Sequence, residues 1–489
     1  MPVAPYQTDL FEKCKGVYQF LSDCQKEADR AQHSKLATIS FTLAPIAPWV
    51  LLETLHQPDQ VYFYYDDVAQ PHSVVGFDTA IAYQASGPSR FARIQQFIDV
   101  WRKRILYGEA PLANSMAQPS ATPEALSQSS PYFCCGFTFF EDTPAPDALF
   151  AAAQVFVPGL QIETNARQSV VSFNCLIDDA NNVARLTEEV GQQLQTITDL
   201  AEQSRGASGF GDGATQRIFK VVKDIGDFRQ AVTTALSAIE ARSSLHKVVL
   251  AEQMEVLSAT AFNVPASLAV LRYKHPACRI FSIGNGQGQA FMGASPERLL
   301  SIRHGHLKTD ALAGSAPRGQ TSDSDTRLGQ QLLLSDKERY EHRVVVEFIA
   351  EQLRSLGLLP EFDEQPQLLR LSNIQHLHTP IRAQLYQTTD PLKILAQLHP
   401  TPAVAGLPRT EASDLIRQTE SFGRGLYAAP IGWVDAEGNS EFVVGIRSAL
   451  INGRQARLYA GAGVVIGSDP GRETAEIKLK LQALLGSLV

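Results

Sequence analysis

Long apolar runs and an excess of positive charge are both missing from this chain of 489 residues. No stretch approaches the ~18 uninterrupted apolar residues of a membrane helix, so we expect no membrane partner. The formal net charge is −8 at pH 7, which provides no broad basic surface for nucleic acid or acidic lipid. These absences favour a small molecule or another protein as the partner, and an anionic substrate would need local positive charges.

Metal-ligand cysteine spacings and targeting signals are missing as well. The six cysteines form no C-x-x-C pair, and two of them are adjacent in the apolar run YFCCGFTFF. We therefore expect buried free thiols in a reducing compartment. The N-terminal segment combines acidic side chains with an amphipathic helical pattern and contains neither a signal-peptide core nor an Arg-rich presequence. These features predict a cytoplasmic protein.

Two stretches rich in Ser, Gly, Pro and Gln interrupt the periodic pattern, and both predict exposed loops: residues 111–131 and 202–217. The second stretch divides the chain into an N-terminal region (1–201), a linker (202–217) and a core (218–489). The chain is longer than the ~250–300 residues at which one hydrophobic core usually stops growing, so we expect two structural units or one unusually large one. Strands and helices alternate without a regular βαβ order, which favours an α+β fold or a large irregular α/β sandwich over a doubly wound sheet.

Two cationic residues lie in sequence segments whose apolar pattern predicts strands. Lys247 opens the run KVVLA, which is apolar on both faces as in a buried strand. It either reaches solvent at the strand end or is desolvated, which would suit a general base. Arg447 lies in FVVGIRSALI, which predicts one buried strand where a guanidinium needs an anionic partner. That partner is either an internal Asp or Glu or an anionic ligand, for which the small residues of AGAGVV leave room.

Glutamates occupy positions where the pattern predicts burial or a cleft. Glu341 lies on the apolar row of the predicted helix SDKERYEHRVVVEFIAEQL, so it should be paired, neutral or metal-bound. Glu297 follows a Ser-Pro turn between two predicted strands and either stays solvated or projects into a cleft. In the last predicted helix, Glu473 shares the apolar row, whereas Glu476 and Lys480 lie four residues apart on the adjacent row. That pair is either a solvated helix face or one wall of a site.

These charged residues near apolar strands are one lysine, one arginine and four glutamates. Together they are typical of an acid–base enzyme with a hard cation and an anionic substrate. They lie in blocks that resemble the chorismate-utilising enzymes, the family of anthranilate, aminodeoxychorismate, salicylate and isochorismate synthases. The blocks occur in this order between about residues 219 and 485: KVVLAE, GASPERLL, ALAGSAPRG, SDKERYEH, IQHLHTPI, HPTPAVAGLP, EFVVGIRSALI, YAGAGVV and a final E-x-x-E-x-x-x-K. The resemblance implies an α+β fold in which antiparallel sheets pack together with flanking helices. It also implies that the N-terminal region is the family-variable part, which packs on the catalytic core.

The resemblance implies a role for each candidate residue. Lys247 would activate a water for attack at C2 of chorismate, and Glu297 would protonate the departing C4 hydroxyl. Mg2+ would be bound by three glutamates: Glu341, Glu473 and Glu476. The substrate would be bound by seven residues: Gly314, Ser315, His376, Arg447, Gly461, Gly463 and Lys480.

Within the family, the pattern favours isochorismate synthase. The ammonia-using anthranilate synthases typically have glutamine at the position of Lys247, and aminodeoxychorismate synthases often have a nucleophilic lysine at the position of Ala313. The block RLSNIQHLHTPIRA and the long N-terminal region resemble the menaquinone or phylloquinone type. We therefore expect a Mg2+-dependent isochorismate synthase that uses chorismate without a glutaminase subunit. Salicylate synthase, a siderophore-pathway isochorismate synthase and a non-catalytic chorismate-binding relative are the alternatives.

Overall fold

The computed structural model describes residues 5–109, 130–142, 149–178, 182–204, 219–223, 226–241, 244–385 and 390–489. Within these ranges the helices are α1 (Pro5–Ala31), α2 (Pro48–Leu55), α3 (Arg90–Arg102), α4 (Val183–Ser204), α5 (Phe228–Ala241), α6 (Val264–Lys274), α7 (Ser322–Leu334), α8 (Asp336–Ser355), α9 (Pro391–Leu398), α10 (Arg409–Thr419) and α11 (Pro470–Leu485). None of these helices combines the length and the apolar composition needed to cross a bilayer.

The strands in the same ranges are β1 (Lys35–Leu43), β2 (Val61–Asp67), β3 (His72–Phe77), β4 (Ile81–Ala85), β5 (Ile105–Glu109), β6 (Tyr132–Phe137), β7 (Ala153–Val157), β8 (Leu160–Asn165), β9 (Ser169–Ile177), β10 (Phe219–Lys223), β11 (Lys247–Ser258), β12 (Arg279–Asn285), β13 (Gln289–Ser295), β14 (Arg298–Arg303), β15 (His306–Pro317), β16 (Gln367–Arg370), β17 (Ile374–Gln384), β18 (Gly406–Leu407), β19 (Pro430–Asp435), β20 (Ser440–Val444), β21 (Ser448–Asn452) and β22 (Gln455–Val465).

These strands form two large sheets that are almost entirely antiparallel. The first sheet has the order β10-β11-β22-β21-β13-β12-β2-β3-β8-β9-β1-β5, with β18 beside β11. The second has the order β16-β17-β15-β14-β20-β19-β6-β7-β4. Among the described strands, only β1 and β5 pair in parallel. Antiparallel sheets combined with helices confirm the predicted α+β fold.

Both sheets combine strands from the two halves of the chain. β2 pairs with β12 in the first sheet, and β6 pairs with β19 in the second. The predicted linker therefore separates two segments of sequence that share continuous sheets. Its first residues, 202–204, end α4, whereas residues 205–217 and residues 111–129 of the other predicted loop lie outside the described residues.

Apolar side chains and free thiols fill the core, as the composition predicts. All six residues of β6 are buried, and Tyr132 in this strand stacks on Trp433 in β19 with ring centroids 4.3 Å apart. The six cysteines are free, and four of them are fully buried: Cys24, Cys134, Cys135 and Cys278. Burial in apolar surroundings raises the pKa of these thiols, so they behave as small apolar residues.

The run FVVGIRSALI contains a change of sheet and not the single strand that its apolar pattern predicts. β20 belongs to the second sheet and β21 to the first. Gly445 fits tightly between them, because a Cβ there would lie 2.6 Å from the carbonyl oxygen of Leu426. Arg447 has a φ of 50°, a left-handed backbone conformation that turns the chain into β21. The prediction that Arg447 lies within a strand was therefore wrong, since an apolar run does not reveal where the backbone leaves a sheet.

Two helices place their polar residues near β15 and β22. α8 packs against β15, and α11 packs against β22. α11 starts as predicted, because the Asp469 side chain caps it by accepting a hydrogen bond from the main-chain N–H of Arg472. Ile477 and Leu481 are fully buried on its inner face, and Glu473 on the same row is 6% exposed. The apolar row of α11 therefore carries a carboxylate into the interior.

Candidate active site

The pair of strands β11 and β22 forms the first wall of the candidate site. Lys247, the first residue of β11, has a side chain that is 1% exposed, and its Nζ lies 2.8 Å from Oε1 of Glu341 on α8. Gly461 and Gly463 lie on the neighbouring strand, β22. A Cβ at Gly463 would lie 2.7 Å from the same carboxylate oxygen, so glycine leaves room for this ion pair. Of the two interpretations of Lys247, the structure selects the desolvated side chain.

Glu297 lies in the turn between β13 and β14, where the sequence places it. The Ser295 hydroxyl donates to the carbonyl oxygen of Val444 at 2.7 Å and accepts from the main-chain N–H of Glu297 at 3.3 Å, which fixes the turn. Burial, together with the negative charge of Asp310, raises the pKa of Glu297 to about 8 against an opposing effect of Lys247. Glu297 therefore keeps its proton near neutral pH and can serve as a general acid.

Asp310 on β15 belongs to a buried cluster of charges. Its carboxylate accepts a hydrogen bond from Nε2 of His378 at 3.0 Å and lies 3.8 Å from a guanidinium nitrogen of Arg298. Arg298 also lies 3.2 Å from the carboxylate of Glu441. Burial alone would raise the pKa of Asp310, but His378 and Arg298 outweigh it and lower this pKa below its usual value. Asp310 therefore stays charged while Glu297 stays protonated.

His376 and Arg447 form the second wall. A guanidinium nitrogen of Arg447 donates to Nε2 of His376 at 2.8 Å. Nδ1 of His376 lies 3.2 Å from the carbonyl oxygen of Gly314 and 3.1 Å from the hydroxyl oxygen of Ser315. Burial and the charges of Arg447 and Lys480 hold the pKa of His376 well below its usual value, so the ring is neutral. Because arginine only donates, Nε2 accepts and the single ring proton lies on Nδ1.

Arg447 and Lys480 supply positive charge to the cavity. Nζ of Lys480 donates to the carbonyl oxygen of Gly461 at 2.8 Å and lies 2.7 Å from Glu476. Arg447 is half-buried, and its hydrogen bond goes to a neutral imidazole and not to the anionic partner expected for a guanidinium in a protein interior. An anionic ligand would complete the charge balance of Arg447.

The predicted metal ligands lie on α8 and α11, and each is paired with a lysine. The three pairs are Lys247–Glu341 at 2.8 Å, Lys337–Glu473 at 3.3 Å and Lys480–Glu476 at 2.7 Å. Burial and the charge of Glu476 raise the pKa of Glu473. Burial also acts on Glu476, but its ion pair with Lys480 outweighs burial and lowers its pKa. In the described part of the chain, no three His, Cys, Asp or Glu side chains are already arranged as a metal site.

Two adjoining cavities connect these groups. Together with the solvent-filled space at their mouths, the first spans about 770 Å³ and the second, beside α8 and α11, about 900 Å³. The first cavity is lined by ten predicted site residues: Glu297, Gly314, Ser315, Glu341, His376, Arg447, Gly461, Gly463, Glu476 and Lys480. Glu473 lines the second cavity, and Lys247 contacts Glu341, which lines both. The structure thus brings all twelve predicted residues to one region.

Sequence reasoning missed three residues of this region. Tyr427 lines the first cavity, and its ring stacks on Tyr459 with centroids 5.2 Å apart. Glu338 and Lys337 line the second, where Glu338 accepts a hydrogen bond from the main-chain N–H of Ser315 at 3.0 Å. Glu338 precedes Glu341 by three residues, so the helical i, i+3 spacing could have identified it. Tyr427 lies in an apolar run without any polar signal.

Comparison with known proteins agrees with the sequence blocks. The family described as chorismate binding enzyme matches residues 19–489. A salicylate biosynthesis isochorismate synthase from Pseudomonas aeruginosa is 32% identical over 470 residues, covering 94% of this chain and 92% of the relative. The isochorismate synthase MenF of Bacillus subtilis is 30% identical over 435 residues, covering 87% of each chain.

Solved structures of this fold also align over most of the chain. The menaquinone-specific isochorismate synthase MenF from Escherichia coli has a TM-score of 0.71 at 24% identity, covering 96% of this chain and 99% of that structure. Anthranilate synthase component I from Streptococcus pneumoniae has a TM-score of 0.60 at 19% identity, covering 91% and 92%. The fold predicted from the resemblance is confirmed. With a family match that extends from residue 19 to the last residue, the chain belongs to the chorismate-binding enzyme family.

Proposed function

We propose that this protein is an isochorismate synthase, which converts chorismate to isochorismate. The observation that carries this proposal is the presence in one region of a buried lysine, Lys247, and a buried carboxyl, Glu297, whose pKa is raised to about 8. An enzyme that adds water at one carbon and expels a hydroxyl from another needs one base and one acid of this kind. The names of the two relatives with 30% and 32% identity support the same activity.

The reaction follows from the roles of these two side chains. Lys247, in its neutral form, would take a proton from a water that attacks C2 of chorismate. As the new C2–O bond forms, both ring double bonds shift by one position, from C1=C2 to C1=C6 and from C5=C6 to C4=C5, the C4–O bond breaks and Glu297 protonates the leaving hydroxyl. One water enters and one leaves, so the product is an isomer of the substrate. The Lys247–Glu341 ion pair has to open first, because Nζ donates to that carboxylate in the structure.

The second wall would orient the substrate. Arg447 and Lys480 would bind the carboxylates of chorismate, together with main-chain groups of the glycine-rich segments around Gly314 and Gly461. His376 is neutral and held by Arg447, so it would face the C4 end of the ring without adding charge. Fixing both carboxylates would place C2 and C4 relative to the base and the acid.

Magnesium fits the chemistry of the carboxylates on α8 and α11. Burial and the negative charges of Glu341 and Glu476 raise the pKa of Glu338 and Glu473, which indicates negative charge that a cation would relieve. Carboxylate oxygens are the ligands that Mg2+ prefers. Glu341, Glu473 and Glu476 would hold the ion, which would supply positive charge near the ring carboxylate. Their present lysine partners would have to release them.

Salicylate synthase is the second candidate. A salicylate synthase would use the same lysine and glutamate and then eliminate pyruvate from isochorismate. The relative from Pseudomonas aeruginosa, which is named for salicylate biosynthesis, favours this candidate. We favour a product that leaves as isochorismate for quinone biosynthesis, because RLSNIQHLHTPIRA resembles the menaquinone or phylloquinone type.

Product analysis tests the proposal. The protein is incubated with chorismate and Mg2+, and the products are separated by chromatography. We expect isochorismate from the wild type and no turnover from Lys247→Ala, which should still fold because Glu341, 12% exposed, can be solvated. Salicylate with pyruvate would support the second candidate, and no turnover by a folded wild type would leave a non-catalytic chorismate-binding protein. Near-normal activity of Lys247→Ala would remove Lys247 as the base.

A further inference from the structure

The strand that carries Lys247 lacks a second neighbouring strand over part of its length. β22 pairs with β11 from Lys247 to Leu257 on one side. On the other side, β18 covers only the first two residues of β11, and β10 covers residues 255–258. The main-chain N–H of Val249 still donates to the carbonyl oxygen of Ala405 at 2.8 Å, and beyond this bond residues 249–251 face no second strand among the described ones. Their main-chain groups need other partners, because burying them without hydrogen bonds is costly.

Two side chains replace the missing strand. A guanidinium nitrogen of Arg424 donates to the carbonyl oxygen of Val249 at 2.7 Å, and Oε1 of Glu420 accepts from the main-chain N–H of Ala251 at 2.8 Å. Arg424 and Glu420 are joined to each other by contacts of 2.9 Å and 2.5 Å. The ion pair thus continues the hydrogen-bonding edge of β11 where the backbone partner ends.

The same arginine also binds the opposite part of the cavity wall. A second guanidinium nitrogen of Arg424 donates to the carbonyl oxygen of Val404 at 2.8 Å, and its own carbonyl oxygen accepts from the main-chain N–H of Tyr427 at 2.9 Å. Val249, Val404 and Tyr427 all line the first cavity. The guanidinium lies 4.3 Å from the ring centroid of Phe139, which fixes its plane. Arg424 therefore connects three segments of the wall, two through its buried side chain and one through its own carbonyl group.

We propose that Arg424 and Glu420 form a positioning pair that holds β11, and with it Lys247, in register with the cavity wall at Val404. Neither side chain lines the cavity, so the pair acts through the backbone and does not contact the substrate. Val249 lies two residues from Lys247 on the same face of β11, so a shift of its carbonyl group moves the base. The kinetic consequence rests on the proposed function, whereas the effect on β11 does not.

Arginine is required for this geometry. Its planar guanidinium reaches two carbonyl groups and a carboxylate at the same time. A lysine ammonium has all of its N–H donors on one nitrogen and cannot span these groups. Arg424→Lys therefore keeps the charge opposite Glu420 but loses at least one of the wall contacts. Arg90→Lys is a matched control, because Arg90 is 3% exposed and donates to carbonyl oxygens of Thr138 and Ala152, which do not line the cavity.

The test combines hydrogen–deuterium exchange with kinetics. In Arg424→Lys we expect amide exchange of the segment 249–252 to become about tenfold faster, and kcat to fall by about tenfold or more, since the base is misplaced. Chorismate affinity, measured by calorimetry, should stay within about threefold, because Arg447 and Lys480 are untouched. Arg90→Lys should lower the thermal midpoint without either effect. If Arg424→Lys does not fold, Glu420→Gln should accelerate amide exchange of the same segment, 249–252, by a smaller factor.

Two results would overturn the inference. One is exchange of segment 249–252 that is the same in Arg424→Lys and Arg90→Lys. The other is a kcat that falls only in proportion to the folded fraction of Arg424→Lys. A folded wild type that does not turn over chorismate would instead remove the proposed function. The comparison of amide exchange between wild type and Arg424→Lys would still test the positioning pair.

Discussion

At the scale of single residues, the proposed chemistry depends on two carboxyl groups with opposite protonation. Glu297 is buried and keeps its proton, because burial and the charge of Asp310 raise its pKa to about 8. Asp310 is equally buried but stays charged, since His378 and Arg298 hold its pKa below the usual value. A fixed negative charge thus maintains the acid form of its neighbour.

Replacing Asp310 with asparagine should lower the pKa of Glu297. In the proposed mechanism Glu297 acts in its protonated form, so activity should fall as pH rises through its pKa, and Asp310→Asn should move this falling limb to lower pH. At a fixed pH well above the pKa, lowering the pKa by one leaves about tenfold less of the protonated form. The measurement is kcat/KM against pH for wild type and variant. A falling limb that stays in place or moves upward would show that Asp310 does not influence the acid.

Glu441→Gln is the matched control for this substitution. Glu441 is also buried and contacts Arg298 at 3.2 Å and Arg279 at 3.6 Å, so its replacement removes a carboxylate from the same cluster. It is not among the groups that shift the pKa of Glu297. The falling limb of the pH profile should therefore stay in place in this variant, even if the thermal midpoint decreases.

Some site residues could be predicted from periodicity and others only from the family resemblance. Lys247 stands out because it opens an apolar strand, and Glu341 because it lies on the apolar row of a helix; the structure shows that they pair with each other. His376 has no such pattern and follows only from the resemblance. The positioning role of Arg424 could not be predicted, because apart from Glu420 its side-chain partners are main-chain groups of other segments of the chain.

At the scale of elements, α8 and α11 bring their carboxylates together, and lysines neutralise part of the charge. Lys337 lies 3.3 Å from Glu473 and 3.9 Å from Glu338, and its side chain is 28% exposed. This ammonium group contacts Glu473, one of the three carboxylates that would hold Mg2+. It therefore competes with the proposed metal for the same oxygens.

Lys337→Met should strengthen the binding of Mg2+. A partly exposed ion pair contributes up to about 1 kcal/mol, which corresponds to a roughly two- to fivefold gain in affinity once the competing charge is removed. Calorimetric titration of the protein with Mg2+ measures this directly, without substrate. Lys308→Met, a substitution of an exposed lysine on β15, should leave the affinity unchanged. Weaker binding by Lys337→Met would mean that Lys337 supports the site.

The elements themselves were largely predictable, with one informative exception. The helix start at Asp469 and the apolar row of α11 follow from capping chemistry and periodicity. The crossing between sheets inside FVVGIRSALI does not follow from the sequence pattern. Both halves of this run are buried strands, and the chain passes from one sheet to the other within four residues. The left-handed conformation of Arg447 at this crossing is set by tertiary packing and has no local signal.

At the scale of the whole molecule, the two halves of the chain build one pair of sheets. The pairing of β2 with β12 and of β6 with β19 joins segments that are far apart in sequence. Strand patterns predicted these segments but not their partners, since every buried strand offers the same main-chain hydrogen bonds. The α+β class was therefore predictable from the element types, whereas the sheet order required the structure.

The proposed reaction adds a water at C2 of chorismate and expels the C4 hydroxyl within this fold. Turnover of chorismate with Mg2+ in water enriched in oxygen-18, followed by mass spectrometry of the purified product, tests both steps at once. We predict isochorismate that carries one labelled oxygen, at the C2 hydroxyl, and no labelled product with Lys247→Ala. Unlabelled isochorismate would contradict this mechanism, because the hydroxyl would then have moved without water.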